Sequence, residues 1–268
     1  MDVKGVLIDL DGVMYVGDRP VPGADEAIRF LDDCGYPFRF VSNTTRKSRK
    51  TIAGNLARMG LDIPERVIFT PAIAAAAYIQ KSGKHRCFFL LAGDAALDFG
   101  PACSSAPGEA VDFVVVGDAG ENITYENMNS AFRSLLGGAE LIALEKDRYW
   151  MAAGGLSLSA GPFVTALEYA AGKTATVVGK PSGAFFTLAL EDMGLCPAEA
   201  AMIGDDIGSD IGGAQALGMR GILVRTGKFR KDVLQNSRIQ PDRIIGSIAD
   251  LPRIMEKPGD GLPRPGTP

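Results

Sequence analysis

Val3-Lys4-Gly5-Val6-Leu7-Ile8-Asp9-Leu10-Asp11-Gly12-Val13 is the stretch on which the reading of this chain turns. Residues 3–8 are apolar except for Lys4 and Gly5, the pattern of a central strand covered on both faces of a parallel sheet. Asp9 then falls at the carboxyl end of that strand, where open α/β sheets bind their ligands. A carboxylate so placed can attack phosphorus once a cation has offset the substrate's charge. Asp11, two positions on, can protonate a departing oxygen and later take a proton from water. Asp-Gly is equally the signature of an ordinary turn after a strand, so the motif does not stand alone.

Working outward, short β-rich runs alternate with helical spacings, which predicts βαβ units around a parallel sheet. Residues 24–34 have helical periodicity, 38–41 read as a strand, 48–59 as a helix ending at Gly60, and 67–69 as a strand. Strands are expected again at 87–91, 113–116 and 141–144, with a helix at 125–136 that Thr124 can cap. A helix at 163–171 and a strand at 174–178 follow, then a helix at 185–193, a strand at 200–203, a helix at 210–217 and a strand at 221–224. The expected fold class is α/β: a Rossmann-like parallel sheet core carrying an inserted α/β domain. The core is assigned to 1–75 and 178–255, the insert to 76–177, and the Pro/Gly-rich 256–268 to a mobile tail. An inserted domain of this kind ordinarily leaves a cleft against its host.

Three further clusters follow apolar strands. Ser42-Asn43-Thr44-Thr45 offers hydroxyls, an amide and backbone N–H groups suited to phosphate oxygens, although helix caps and Asx turns use the same residues. Lys180, between Gly179 and Pro181, can offset charge on a phosphate and on an attacking carboxylate, whereas most lysines are simply solvated. Gly204-Asp205-Asp206-Ile207-Gly208-Ser209-Asp210 puts three carboxylates within six positions, which is costly without a cation. Magnesium suits such a set; an acidic first turn favoured by the helix dipole is the other explanation. What turns alone do not readily produce is the recurrence of all four clusters at strand carboxyl ends.

Bulk properties narrow the classes. A net charge of -4 opposes nucleic-acid binding without excluding an anionic small-molecule substrate in a locally positive pocket. Cys34, Cys87, Cys103 and Cys196 form no CxxC pair, so free thiols are expected rather than a zinc or disulfide framework. No apolar run approaches membrane-spanning length, residues 72–77 included, and the strand beginning at residue 3 leaves no room for a signal peptide; a cytoplasmic protein with no membrane partner is expected. The one histidine, His85, lies in a loop-like stretch, so carboxylates, hydroxyls and lysine must carry the chemistry. No GxGxxG follows the first strand, which opposes a dinucleotide-binding dehydrogenase, and no GxxxxGK[ST] precedes Lys180.

The ordered set Asp9/Asp11, Ser42, Lys180 and Asp205/Asp210 resembles the four motifs of the haloacid dehalogenase superfamily. The long insert between the serine and lysine motifs resembles the C2-type cap of its NagD-like subfamily, and the likeness runs from about residue 3 to 252. The resemblance implies a phosphatase with Mg2+ as cofactor. In it Asp9 is nucleophile and metal ligand, and Asp11 is general acid/base and gives its carbonyl to the metal. Ser42 and Asn43, with Thr44 beside them, bind the phosphoryl group, Lys180 stabilises its charge, and Asp205 and Asp210 complete the metal site. Asp206 has no assigned role. Substrate choice is expected in the insert, with Arg148, Tyr149 and Trp150 and the following Ala153-Gly154-Gly155 as candidates; Trp150 packed into a core is the alternative. A homodimer through the cap is also expected. A phosphotransferase or mutase using the same aspartate, and a phospho-receiver protein without turnover, remain as rival readings.

Overall fold

A computed structural model describes residues 3–100, 103, 109–152 and 154–255. The expected tail at 256–268 and Ala153 lie outside the described residues. The chain divides into two compact units, one formed by 1–38 with 193–268, the other by 39–192.

In the first unit, strands Arg243–Ile245, Arg220–Val224, Ala200–Gly204 and Gly5–Asp9 lie side by side in that order, all parallel. Val6, Leu7, Ile8, Ala201, Met202 and Ile203 are each at most 1% exposed, which is why these strands read as unbroken apolar runs rather than alternating ones. The first strand pairs with one almost two hundred residues later, Ile8 opposite Ile203. Helix Ala24–Asp33 buries Ala24, Ala27 and Leu31, the stripe its spacing predicts, and Cys34 closes it.

The second unit contains the parallel pair Phe38–Val41 and Ile68–Phe69, and a separate four-stranded parallel sheet ordered Thr176–Val177, Glu140–Ala143, Phe113–Val116, Cys87–Leu90. Val114, Val116, Leu141 and Ala143 form its core with Ala131 and Leu135 of helix Tyr125–Leu136 and Val164 and Leu167 of helix Gly161–Ala171. Thr124 caps the former helix as expected, its hydroxyl accepting from the Asn127 N–H at 3.1 Å.

Several elements escaped the sequence reading, among them two helices, a hairpin and an edge strand. Helix Pro71–Ser82, begun by a Thr70 cap with proline in its first turn and ended by Gly83 in the left-handed region, contains the alanine-rich run at 72–77. An antiparallel hairpin pairs Tyr149–Ala152 with Gly155–Leu158. Arg243–Ile245 adds an edge strand. The helix expected at 210–217 starts earlier, as a π-helical turn Ile207–Gly212 running into Gly213–Ala216. All four cysteines are free thiols; Cys87 and Cys103 are buried, and burial pushes the Cys87 thiol up to about 12. Among the described residues no helix is long and apolar enough to cross a membrane.

Candidate active site

Parallel pairing brings the two acidic motifs together. Asp9 is the last residue of its strand and Gly204 the last of the neighbouring one, so Asp9 and Asp205 emerge at the same edge of the sheet. Asp210 joins them from the following helix. The three carboxylates are 7%, 2% and 0% exposed, and each offers an oxygen within 4.8 Å of the others. Three like charges this close and this dry repel strongly, and a cation is the usual compensation. An all-oxygen, all-carboxylate donor set fits a hard divalent ion, magnesium among them.

Asp206 does something else. Its carboxylate accepts from the N–H groups of Gly208 and Ser209 at 2.8 and 2.9 Å, capping the π-helical turn. Its own N–H donates to Asp210 Oδ2 at 3.1 Å. The helix-end explanation of the acidic run thus holds for Asp206, while Asp205 and Asp210 lie with Asp9 in a group that could hold a metal ion. A π-turn at this point, where side chains must be re-aimed, is a common functional device.

Glycines make the close approach possible. Asp205 Oδ2 accepts the Lys228 N–H at 2.6 Å and lies between Gly12 and Gly227. A Cβ on either glycine would come within 1.9 or 2.0 Å of that oxygen, and both have positive φ, +89° and +60°. Thr226 Oγ1 donates to the Gly12 carbonyl at 2.5 Å and ties the two turns together. Leu10, Val13 and Met14 are fully buried and anchor the turn after Asp9, with the N–H groups of Met14 and Tyr15 donating to the Leu10 carbonyl at 2.9 and 3.3 Å. The Asp11 side chain is exposed and stands outside the three-carboxylate group. Burial, then Asp11, then Asp9 push the Tyr15 phenol up to about 12, so it stays protonated at neutral pH.

Lys228 is the residue the sequence reading passed over. It belongs to a fifth strand-end cluster, Thr226-Gly227-Lys228, two residues past strand Arg220–Val224. The only signal was the repeat of the pattern: an apolar strand, then glycine, then a charged group. The surrounding protein partly desolvates the ammonium, which opposes its charge. The combined field of Asp205, Asp9, Asp206 and Asp210 outweighs this and raises its pKa above the ordinary lysine value.

In the second unit, the Asn43 side chain clamps the Lys180 backbone: Oδ1 accepts the Lys180 N–H at 2.8 Å and Nδ2 donates to its carbonyl at 2.9 Å. A buried Lys180, 5% exposed, is thus fixed beside the Ser42–Thr44 loop. Ser42 Oγ accepts from the Thr44 N–H at 3.2 Å, an ST-turn. Asn43 and Thr44 line a cavity of about 230 Å³ with Glu145, Asp147, Trp150 and Ser159. Trp150 is 43% exposed, so it is not packed in a core. Arg148 and Tyr149, which stack at 5.9 Å from guanidinium to ring centroid, are not among the residues lining this cavity. Alternation along the strand explains this for Tyr149, which faces away from Trp150, whereas Arg148 precedes the strand.

Comparison with known proteins identifies the family. Residues 6–99 match the family model for haloacid dehalogenase-like hydrolases, and residues 177–251 match a related HAD-hydrolase-like model. The human haloacid dehalogenase-like hydrolase domain-containing protein 2 is 47% identical over 229 residues, 85% of this chain and 86% of that protein. The human phospholysine phosphohistidine inorganic pyrophosphate phosphatase is 39% identical over 264 residues, 96% of each. A p-nitrophenyl phosphatase from Archaeoglobus fulgidus superposes with a TM-score of 0.85 at 28% identity, covering 95% of this chain and all (100%) of that one. NagD from E. coli K-12 gives 0.84 at 26%, covering 93% and 98%. With relatives this similar over nearly its whole length, the chain belongs to the haloacid dehalogenase-like hydrolases, in their NagD-like subfamily.

Proposed function

We propose that this chain is a magnesium-dependent phosphatase of small phosphorylated metabolites that works through an aspartyl-phosphate on Asp9. The observation that carries the reading is the buried trio Asp9, Asp205 and Asp210 at one sheet edge. The phosphatase names of several relatives support it. Asp9, Asp205 and Asp210, with the Asp11 carbonyl, would hold the ion, which when bound supplies charge compensation for the phosphoryl oxygens.

One Asp9 oxygen attacks phosphorus in line, the bond to the leaving oxygen breaks, and Asp11 donates the proton that oxygen needs. Water then attacks the same phosphorus, Asp11 takes its proton, and inorganic phosphate leaves with Asp9 restored. Ser42, the Asn43 backbone and Lys180 are assigned to the phosphoryl group; the Asn43 clamp fixes the Lys180 backbone before substrate arrives. Residues 76–177 act as the cap in this reading and set the choice of substrate. The four free thiols suit a reducing, cytoplasmic setting.

Hydrolysis of p-nitrophenyl phosphate by the purified chain is expected with Mg2+ and lost after chelation. A chain that accepts one phosphate and never turns over would be the receiver-type reading. Phosphoryl transfer to an added alcohol in preference to water would establish the phosphotransferase.

The same reading includes a homodimer through the hairpin. Its outer face carries the cross-strand pairs Tyr149–Leu158 and Met151–Leu156, exposed at 53%, 59%, 70% and 66%. Such a face, apolar and uncharged, suits an isologous contact with a second copy, where like charges would otherwise meet. Light scattering should give a dimer mass for the wild type and a monomer mass for Met151→Glu; a monomeric wild type refutes the contact.

A further inference from the structure

The proposed reaction assigns no work to Lys228, although its position is among the most constrained at the site. Its N–H is bound to Asp205 Oδ2 at 2.6 Å, so its backbone cannot drift from the acidic trio. Gly227 before it packs against both Asp205 and Gly12, its would-be Cβ 2.4 Å from Gly12 Cα. With Asp205 and Asp206, Lys228 lines a cavity of about 190 Å³ whose other walls include Leu223, Phe229 and Val233. Arg230 also lines that cavity, but it is paired with Asp232 at 2.6 Å.

We infer that Lys228 is the built-in counter-ion of the acidic site, holding Asp9, Asp205 and Asp210 together before metal arrives and limiting how tightly a divalent cation then binds. The second half of this rests on the metal-dependent reading above; the first half does not. Three buried carboxylates carry three negative charges, and Asp206 a fourth nearby. A divalent ion offsets two of them. The negative excess that remains faces the doubly negative phosphoryl group to which Lys180 is assigned. A lysine tethered through its backbone supplies one more positive charge at every stage, and it repels the incoming cation, so metal affinity is lower than the carboxylates alone would give. Lys228 touches neither substrate nor reacting atoms in this account. It is a positioning residue that acts through Asp205 and its neighbours.

This makes a prediction opposite in sign to that of a merely structural role. Damage to the site weakens metal binding, whereas loss of a repelling charge strengthens it. Calorimetric titration of Mg2+ alone into metal-stripped protein should show Lys228→Met and Lys228→Gln binding at least about threefold tighter than wild type. Both should melt lower than wild type without metal and gain more on adding Mg2+, since tighter binding to the native state raises stability further. Lys228→Arg, which keeps the charge, and Arg230→Met, which removes the paired cation next to it, should match wild type. Equal or weaker Mg2+ binding in both neutral variants overturns the inference. So does a loss of fold that Mg2+ fails to reverse, because a missing counter-ion is replaceable by another cation. A wild type that takes up no Mg2+ would sink the cofactor reading instead, and the metal-free melting comparison would still decide the counter-ion role.

Discussion

Asp9→Asn is expected to leave a folded protein with at least about 10⁴-fold lower kcat, the scale seen when a nucleophile is removed from a working constellation. That corresponds to about 5.5 kcal/mol of lost transition-state stabilisation. An amide oxygen cannot form the acyl-phosphate, and no other group of the buried trio is on the first strand to replace it. The stability readout should run the other way. Asp9 is one of three buried carboxylates within 4.8 Å, so neutralising it relieves repulsion in the metal-free protein. The variant is therefore expected to melt no lower than wild type in chelator, and to gain less from Mg2+. Near-normal turnover by the variant would remove Asp9 from the chemistry altogether. A collapse of the fold would instead mean that the carboxylate is chiefly structural.

The second large effect is expected from a residue with no side chain. Gly12→Ala places a Cβ 1.9 Å from Asp205 Oδ2, and that oxygen cannot retreat because Gly227 stands on its other side and the Lys228 N–H holds it. The positive φ of +89° adds backbone strain of roughly 1–2 kcal/mol for any L-residue. Displacing a buried, hydrogen-bonded carboxylate adds roughly 1–3 kcal/mol. The melting temperature should fall by about 5–15 °C, and Mg2+ affinity by about tenfold or more because Asp205 is moved off the trio. Gly17→Ala separates the two causes. Gly17 also has positive φ, +64°, but nothing lies within 4 Å of its would-be Cβ. It should show the backbone cost alone and bind Mg2+ as wild type does. Equal metal affinity in the Gly12 and Gly17 variants would show that Asp205 is free to move, contrary to the packing described.

Much of the site was legible because a buried parallel strand leaves a plain mark. The runs ending at Asp9 and Gly204 are apolar on both faces, so each announces where its carboxyl end lies, and Asp9 and Asp205 could be named from that mark. Asp206 could not be separated from Asp205, because adjacent acids have the same composition and differ only in which way the backbone turns them. Lys228 was hidden for a related reason. A lysine in a Thr-Gly-Lys turn looks like any solvated lysine until its N–H is found on Asp205 and its side chain in a cavity shared with Asp205 and Asp206. The hairpin at 149–158 was missed because Tyr149, Met151, Leu156 and Leu158 expose the apolar face that periodicity arguments expect to be buried. The helix Pro71–Ser82 was missed because its alanine-rich run shows no polar stripe, though its Thr70 cap and the glycine at 83 were both in view.

By itself the amino-acid order determined the element types, the parallel α/β class and which strand ends carry acids, because hydrophobic period and turn chemistry are local properties. Only the tertiary structure decided that Asp9, Asp205 and Asp210 share one dry site, that Gly12 and Gly227 close on it, and that Lys228 is tied to it through its N–H. Those facts depend on pairing Gly5–Asp9 with Ala200–Gly204 and on the turn after Arg220–Val224. Contacts between residues two hundred positions apart arise from packing free energy summed over the whole core, and no short window of residues contains that sum.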